Sequence, residues 1–460
     1  MRIALIFPNR SDDPEPYSSQ SLVSTIGRSI LGLGRTNFLP PLSLMMIAAV
    51  TPKEHEIVFI DERFDIIDFD EKIDVVGITV STEAAKRAYG ISDEFRKRGI
   101  PVVLGGIHPS IQRQEAKQHA DSVVVGEGET VWPTILDDAK NKSLREIYLG
   151  GHNCDFEKLP WPNRNILKDT TRYLTTKTIA ATRGCENRCS FCSIGLATGK
   201  RFRTRRVEDV LAEIDSIPGK YVVFVDDNLG WDIQYAKALF RELKKKKIKW
   251  FGQISINALE DDELLTLAAE SGCLVVDIGF ESVSPDTIVA MNKDFTNDPK
   301  KYSQIITKIH RFGIAILGNF IVGFDSDSKN TFQELAAFIR ETAIELPNIN
   351  ILIPYPGSSI HRSFEKQSRL LSLGWEYYDE TPPYVVFQPA QFLPVQLLRE
   401  YIALIEKIHS PISSLSRILR SGTWKSAEVL FVGLHQNLIK KSIIQKESLK
   451  AIETAMKFSE

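Results

Sequence analysis

The chain has 460 residues, of which 43% are hydrophobic and 25% charged, and its net charge is −2. That length holds two or three domains with buried cores, and the near-neutral balance gives no electrostatic footprint for a nucleic-acid partner. No apolar run approaches the roughly 18–20 residues that span a bilayer. No signal-peptide cleavage pattern follows the opening MRIALIFPNR, so a cytoplasmic protein without a transmembrane segment is expected.

Apolar, β-branched runs at Ile3–Phe7, Ile57–Ile60, Val75–Val80, Val102–Leu104 and Val123–Val125 alternate with helical patterns at Leu42–Val50, Ala84–Lys97, Ile111–His119 and Val131–Ala139. Continuous apolar strands separated by helices predict a parallel sheet covered on both faces. The first unit is therefore read as an α/β, doubly wound, Rossmann-like domain of five strands over residues 1–145. A stretch with Gly150, Gly151, Pro160 and Pro162 makes 146–176 a linker.

From residue 177 a second alternation begins. Its strands are expected at Thr178–Thr182, Tyr221–Val225, Trp250–Ser255, Val275–Phe280, Ile314–Val322 and Ile349–Ile353. Helical patterns separate them at Val207–Ile214, Tyr235–Lys246, Asp261–Ser271, Pro285–Met291, Tyr302–Phe312 and Thr331–Ile344. Six strands fall short of an eightfold barrel and predict a partial, open (β/α)6 barrel over 177–360. The run Lys244–Lys247 reads as the solvated end of a helix, where cations complement the dipole. Residues 361–460 are read as mainly helical, with Leu397–Ile408 and Ser442–Met456 amphipathic. Trp375, Tyr377, Tyr378, Trp424 and Phe431 are candidates to cover the barrel mouth, although ordinary core packing accounts for such residues more often.

Three of the five cysteines stand within eight positions, in Thr182-Arg183-Gly184-Cys185-Glu186-Asn187-Arg188-Cys189-Ser190-Phe191-Cys192. A disulfide framework spreads its cysteines; this bunching indicates metal ligation by Cys185, Cys189 and Cys192. A closed structural zinc site takes four protein ligands, and ferredoxin-type sites use a fourth cysteine at other spacings. Cys154 falls in the linker and Cys273 just before an apolar strand, where a small buried hydrophobe is the commoner role. Three thiolates leave one iron of a four-iron cluster open to an external ligand.

The spacing C-x3-C-x2-C, with Phe191 before the last cysteine, resembles the signature of the radical S-adenosylmethionine (SAM) superfamily. The resemblance implies a [4Fe-4S] cluster whose open iron is chelated by SAM, and cleavage of SAM to a hydrogen-abstracting 5′-deoxyadenosyl radical. An external electron donor such as flavodoxin or ferredoxin is implied as well. It sets Phe191 against the adenine. Functional groups collect at the carboxyl ends of barrel strands, and Asp226-Asp227-Asn228, Gln253, Glu281-Ser282 and Gly318 to Gly323 follow or end the predicted strands. By resemblance, Asp226, Asp227 and Asn228 replace the Gly-Gly-Glu that meets the amino group of SAM. Glu281 and Ser282 match positions near its ribose and carboxylate, and Gly318 to Gly323 the backbone segment near adenine.

A doubly wound sheet binds ligands beyond the carboxyl ends of its strands. There the first domain carries Ser81-Thr82, Gly105-Gly106-Ile107-His108-Pro109 and Gly126-Glu127-Gly128-Glu129. With Phe38-Leu39-Pro40-Pro41-Leu42 before its first helix, this domain resembles the cobalamin-binding domain of cobalamin-dependent radical enzymes. The segment from Gly323 through Leu371 resembles a branch that includes hopanoid methylases. Ser81, Thr82, Gly105, Gly106, His108, Gly126, Glu127 and Gly128 are then expected at cobalamin. The D-x-H-x-x-G motif is missing, so no histidine of this chain is expected on cobalt; His108 either caps its turn or touches the corrin.

The pairing implies methylation of an unactivated carbon in a small-molecule or lipid-like substrate. Radical cyclisation or rearrangement without methyl transfer uses the same parts. A non-catalytic redox or cobalamin sensor leaves the open ligand position unexplained. A methylthiotransferase would bring cysteines in its N-terminal domain, and here none precedes Cys154.

Overall fold

The computed structural model describes residues 1–10, 38–151, 154–197, 199–380 and 383–459. Its first sheet is wholly parallel and contains β1 (Arg2–Phe7), β2 (Glu56–Asp61), β3 (Val75–Thr79), β4 (Val102–Gly105), β5 (Ser122–Gly126) and β6 (Ile147–Gly151) in the order β2-β1-β3-β4-β5-β6. Strand side chains alternate between faces, and β1 shows it. Ile3 and Leu5 join a core with Leu44 and Met45 of α1 (Leu42–Val50). Ala4 and Ile6 join the opposite core with Ala88, Ile91 and Phe95 of α2 (Ala85–Lys97). The winding reverses between β1 and β3, so the crevice expected for a ligand lies beyond the ends of those two strands.

Two expectations for this unit are corrected. The sheet has six strands, not five, because β6 forms at the start of the stretch read as linker. It is an edge strand with Leu149 exposed and two glycines at its end, so it lacks the continuous apolar run of a central strand. The helix expected over Ile111–His119 is instead two short helices, α3 (Ile107–Ile111) and α4 (Arg113–Ala116), interrupted at Gln112, whose ψ of 43° leaves the helical region. A fifth helix, α5 (Trp132–Lys140), packs Trp132, Ile135 and Leu136 into the first core.

The second unit opens with β7 (Thr178–Ile179). An antiparallel ribbon of β8 (Thr182–Arg183) with β9 (Arg203–Thr204) follows. The main sheet continues through β10 (Tyr221–Phe224), β11 (Lys249–Gln253), β12 (Cys273–Glu281), β13 (Ala315–Val322) and β14 (Leu346–Ile351), in the order β14-β13-β12-β11-β10-β7. The six-stranded reading holds, and among the described residues the two edge strands do not pair. The first barrel strand is shorter than expected, since Thr182 leaves the sheet to begin the ribbon. The short α6 (Ile194–Ala197) follows the cysteines and packs on α3 and β5 of the first unit, and along the outside run α7 (Val207–Ser216), α8 (Ile233–Leu243), α9 (Asp262–Glu270), α10 (Pro285–Ala290), α11 (Tyr302–Arg311), α12 (Lys329–Thr342) and α13 (Ser359–Lys366). α11 shows why they stay there: Tyr302, Ile305, Ile306 and Ile309 form one buried stripe.

The C-terminal region comprises α14 (Pro394–Ile408), α15 (Pro411–Ser421) and the 30-residue α16 (Ala427–Met456). α16 begins well before the amphipathic segment expected from Ser442. Its first half has no polar face to signal it, and Gly433 lies against Ile418 of α15, a Cβ there falling 3.0 Å from the Ile418 side chain. None of the described helices is long and apolar enough to cross a membrane.

Candidate active site

The cysteine loop leaves the ribbon at Gly184, whose φ of +91° suits glycine; a Cβ there would lie 2.4 Å from the Arg201 carbonyl oxygen. The loop is held by backbone bonds from distant elements. Ser190 N–H donates to the Met291 carbonyl at 2.9 Å, Ile360 N–H donates to the Ser190 carbonyl at 3.0 Å, and the Asn292 side chain donates to the Arg188 carbonyl at 2.8 Å. Cys185, Cys189 and Cys192 are free and half-buried. Burial pushes their thiols up, Cys189 to about 12 and Cys192 to about 11, and these two also feel the charge of neighbouring cysteines. Among the described residues no three His, Cys, Asp or Glu side chains converge on a single metal ion. Three thiols on one short loop, near enough for Cys189 and Cys192 to feel their neighbours' charge, suit a cluster, in which each thiolate meets a different iron. Phe191 packs on the barrel core beside them.

The acidic run after β10 divides by role. Asp226 is buried and accepts hydrogen bonds from Ala181 N–H, Thr182 N–H and the Thr182 hydroxyl, stitching β10 to the start of the ribbon. Burial outweighs these bonds and raises its carboxyl to about 7. Asn228 is also committed, its amide oxygen accepting from Gly230 N–H and Ser255 N–H. Asp227 accepts from Gly184 N–H at 3.1 Å, and its charge reaches Cys185 and Cys192. Of the three, only Asp227 stands beside the cysteines.

At the end of β12, Glu281 has a φ of +62°, rare for a residue with a side chain, next to a register shift in the β12–β13 pairing. Its carboxylate pairs with Lys293, a residue the sequence reading passed over. Lys293 Nζ also donates to the Gly279 carbonyl at 3.1 Å. Burial works against its charge, but Glu281, Cys189 and Cys192 hold its pKa up. Its only signal was a lone lysine following a short helix. Ser282 N–H turns back onto the Phe280 carbonyl at 2.8 Å.

The remaining predicted barrel residues have other neighbours in the structure. Gln253 is exposed at the end of β11. Gly318 faces the helical layer, where a Cβ would meet Phe280, Phe320 and Ile344 at 3.2–3.3 Å, so it makes room for the stacked Phe280 and Phe320 rings. Gly323 has a φ of +105° and sits in a turn fastened by Asp327, beneath Leu397 of α14. Gly318 and Gly323 thus have structural duties that the strand-end pattern did not show.

On the first sheet, Glu127 does not point into the crevice. Its carboxylate accepts from Arg183 Nη1 at 3.0 Å, Arg203 Nη1 at 2.8 Å and Cys154 N–H at 3.1 Å, and Arg183 Nη2 reaches Glu129 at 2.9 Å. Burial would raise Glu127; the bonds from Arg203, Cys154 and Arg183 overcome it and hold the carboxyl down to about 2. Arg183 immediately precedes Gly184, so this clasp joins the glycine-rich edge of the first sheet to the cysteine loop. Gly126 and Gly128 bracket it: a Cβ on Gly126 would lie 2.3 Å from the Gly151 carbonyl oxygen.

His108 is fully buried, Nδ1 lies 3.3 Å from the Thr82 hydroxyl, and the ring meets Trp375 edge-on at 5.1 Å. Burial lowers its pKa to about 4. Trp375, a candidate either for the barrel mouth or for core packing, crosses to the first unit, its indole N–H donating to Glu115 at 2.7 Å. Phe431 lines a cavity at the strand starts, and Trp424 is largely exposed. Ser81, whose hydroxyl donates to Glu83 at 2.8 Å, and Gly105 remain half-exposed at the crevice edge, beside Gly106 with its φ of +106°. Arg10, just past β1, pairs with Asp379 of the C-terminal region at 2.9 Å, closing the chain across both sheets.

Comparison with known proteins follows this division. Residues 179–339 match the radical SAM superfamily and residues 28–136 the B12 binding domain. The chain is 33% identical over 389 residues to bacteriochlorophyllide d C-12(1)-methyltransferase of Chlorobaculum tepidum, covering 82% of this chain and 84% of that one. It is 34% identical over 385 residues to the C-8(2)-methyltransferase of the same organism, covering 78% and 84%. The fold resembles that of TsrM from Kitasatospora setae, a radical S-adenosylmethionine methyltransferase solved with cobalamin and a [4Fe-4S] cluster. That match has a TM-score of 0.62 at 16% identity and covers 80% of this chain and 78% of that one.

Proposed function

The chain belongs to the radical SAM methyltransferases that carry a B12-binding domain, and from that premise we propose that it methylates an unactivated carbon of a chlorophyllide-like, largely apolar ring compound. It is an enzyme whose cofactors are a [4Fe-4S] cluster, SAM and cobalamin, and whose substrate is a small molecule. Bound to the chain, these groups supply a one-electron reductant, a hydrogen-abstracting radical and a methyl carrier.

The residues divide the work as follows. Cys185, Cys189 and Cys192 hold the cluster. Phe191, Asp227 and the end of β12 at Glu281-Ser282 form the SAM side, with Lys293 pairing with Glu281 and compensating the thiolates. Ser81, Thr82, Gly105 and Gly106 edge the cobalamin crevice. Asp226, Asn228, Glu127 and His108 position these groups without touching the reacting atoms. The observation that carries this reading is the clasp of Arg183 by Glu127 and Glu129, which ties the B12-type edge to the residue before the cysteine loop.

The electron comes from an external carrier such as flavodoxin or ferredoxin. In support, Cys154 is wrapped by Glu127 and two arginines, and Cys273 is buried at the start of β12, leaving neither to a second cluster. A cytoplasmic location accords with such a carrier.

The test supplies the reconstituted enzyme with methyl-labelled SAM and chlorophyllide a as acceptor. Label in the product is expected. Label that stays in methionine while product forms overturns the methyl transfer; turnover of other small molecules but no chlorophyllide overturns the substrate class alone.

A further inference from the structure

A cavity of about 350 Å³ lies inside the barrel at the starts of β10 to β14, the opposite end from the cysteines, where α16 covers it. Its walls include Val223, Phe251, Val275, Leu317 and Phe431. The volume falls in the range of small-molecule sites, which pair apolar walls with a few placed polar groups. Two lysines line it: Lys249, exposed at the start of β11, and Lys440, which reaches in from α16. Its Nζ donates to the amide oxygens of Asn348 at 3.1 Å and Asn350 at 3.3 Å, and among the described residues no carboxylate comes within ion-pair distance of it.

The nearest acidic groups are already answered. Asp379 pairs with Arg10, Glu380 accepts from Asn350 at 2.9 Å, and Glu428 lies 3.6 Å from Lys220. Burial lowers the Lys440 pKa to about 8, which still leaves it protonated at neutral pH. A second wall residue has one ring nitrogen without a partner. His409 Nδ1 lies 2.8 Å from the Asn437 amide oxygen, which leaves Nε2 as a buried acceptor without a donor. An apolar chamber thus holds a cation whose direct contacts are two neutral amide oxygens, while His409 Nε2, an acceptor, has nothing to offer a carboxylate. Desolvated cations gain most from an anion brought to them.

We propose that this cavity binds an apolar molecule ending in a carboxylate, its body against Phe251, Val275 and Leu317 and its carboxylate on Lys440. A monoanion fits better than a phosphate, because Glu428 also lines the cavity and Lys440 already feels the charges of Glu380 and Asp379, so a dianion meets more repulsion. The site is separate from the reaction centre and rests on no reading of the reaction.

The test is calorimetric, on the full chain with its cluster reconstituted, using decanoate and its uncharged analogue decanamide. Decanoate is expected to bind at least tenfold more tightly. Lys440→Met removes that preference, Lys440→Arg retains it, and Val275→Phe, which fills the chamber, weakens both ligands at least tenfold. No measurable decanoate binding overturns the proposal. So does equal affinity for the two ligands in the wild type, a preference that survives Lys440→Met, or binding indifferent to Val275→Phe. Should Lys440→Met fail to fold, the wild-type comparison, Lys440→Arg and Val275→Phe decide the matter.

Discussion

On one side of the cysteine loop the charge is held by two arginine forks, on the other by a single lysine. Arg183 and Arg203 spread several N–H donors over Glu127 and Glu129 and saturate the Glu127 carboxylate. Planar guanidinium groups fix geometry, which suits a clasp between two units. Lys293 is a point charge with one carboxylate and one carbonyl as partners, and its field also reaches Cys185, Cys189 and Cys192. The arginine side therefore sets where the loop sits, and the lysine side sets how much its thiolates cost to bury.

Removing the loop's own ligands tests what both sides serve. Cys185→Ala, Cys189→Ala or Cys192→Ala should abolish SAM cleavage and the visible absorbance of the reconstituted cluster. Lys293→Met breaks a buried pair and strands Glu281. The expected loss is about 3–5 kcal/mol in denaturant unfolding and roughly 10–100-fold in SAM cleavage, with Lys293→Arg recovering stability more than activity. A variant that cleaves SAM normally would reduce Lys293 to packing.

Glu127→Gln should act on the other quantity, docking. The Glu127 carboxyl falls from 4.5 to about 2 on folding, worth about 3 kcal/mol at neutral pH. Because the folded value is the lower one, this stability is complete above the unfolded pKa and drains as pH falls through about 2. The variant should lose stability at pH 7 and converge on the wild type in strong acid. The smallest effect belongs to His108. Its pKa is 6.5 unfolded and about 4 in place, so the unfolded chain takes up the proton first and stability drops between those values on acidification. His108→Phe should remove that mild-acid phase while changing stability at pH 7 by only about 1 kcal/mol, read from unfolding curves at pH 7 and pH 5.

The comparison also marks what the chain made legible. The three cysteines, the six barrel strands and the glycine-rich edge of the first sheet stood out because each is a local pattern: a spacing, an apolar run, a turn. Lys293 and the duty of Glu127 did not, since both depend on partners brought from elsewhere in the fold, Glu281 in one case and Arg183 and Arg203 in the other. Asp226 and Asp227 are adjacent and chemically alike, yet one is committed to backbone donors and the other faces the cysteines. Only the path of β8 decides which. Gly318 was legible as a strand-end glycine, but its second duty, making room for the stacked Phe280 and Phe320 rings, depends on which face a Cβ would take.

The backbone bonds of Ser190 carry a consequence for synthesis. Its partners Met291 and Ile360 lie about 100 and 170 residues downstream. At about 5–20 residues per second, the second arrives roughly ten to thirty seconds after the cysteines have left the ribosome. For that interval the three thiols belong to an unbuilt loop, and iron has no preformed seat. Cluster insertion therefore follows translation past Ile360, and a nascent chain arrested before that residue should emerge colourless.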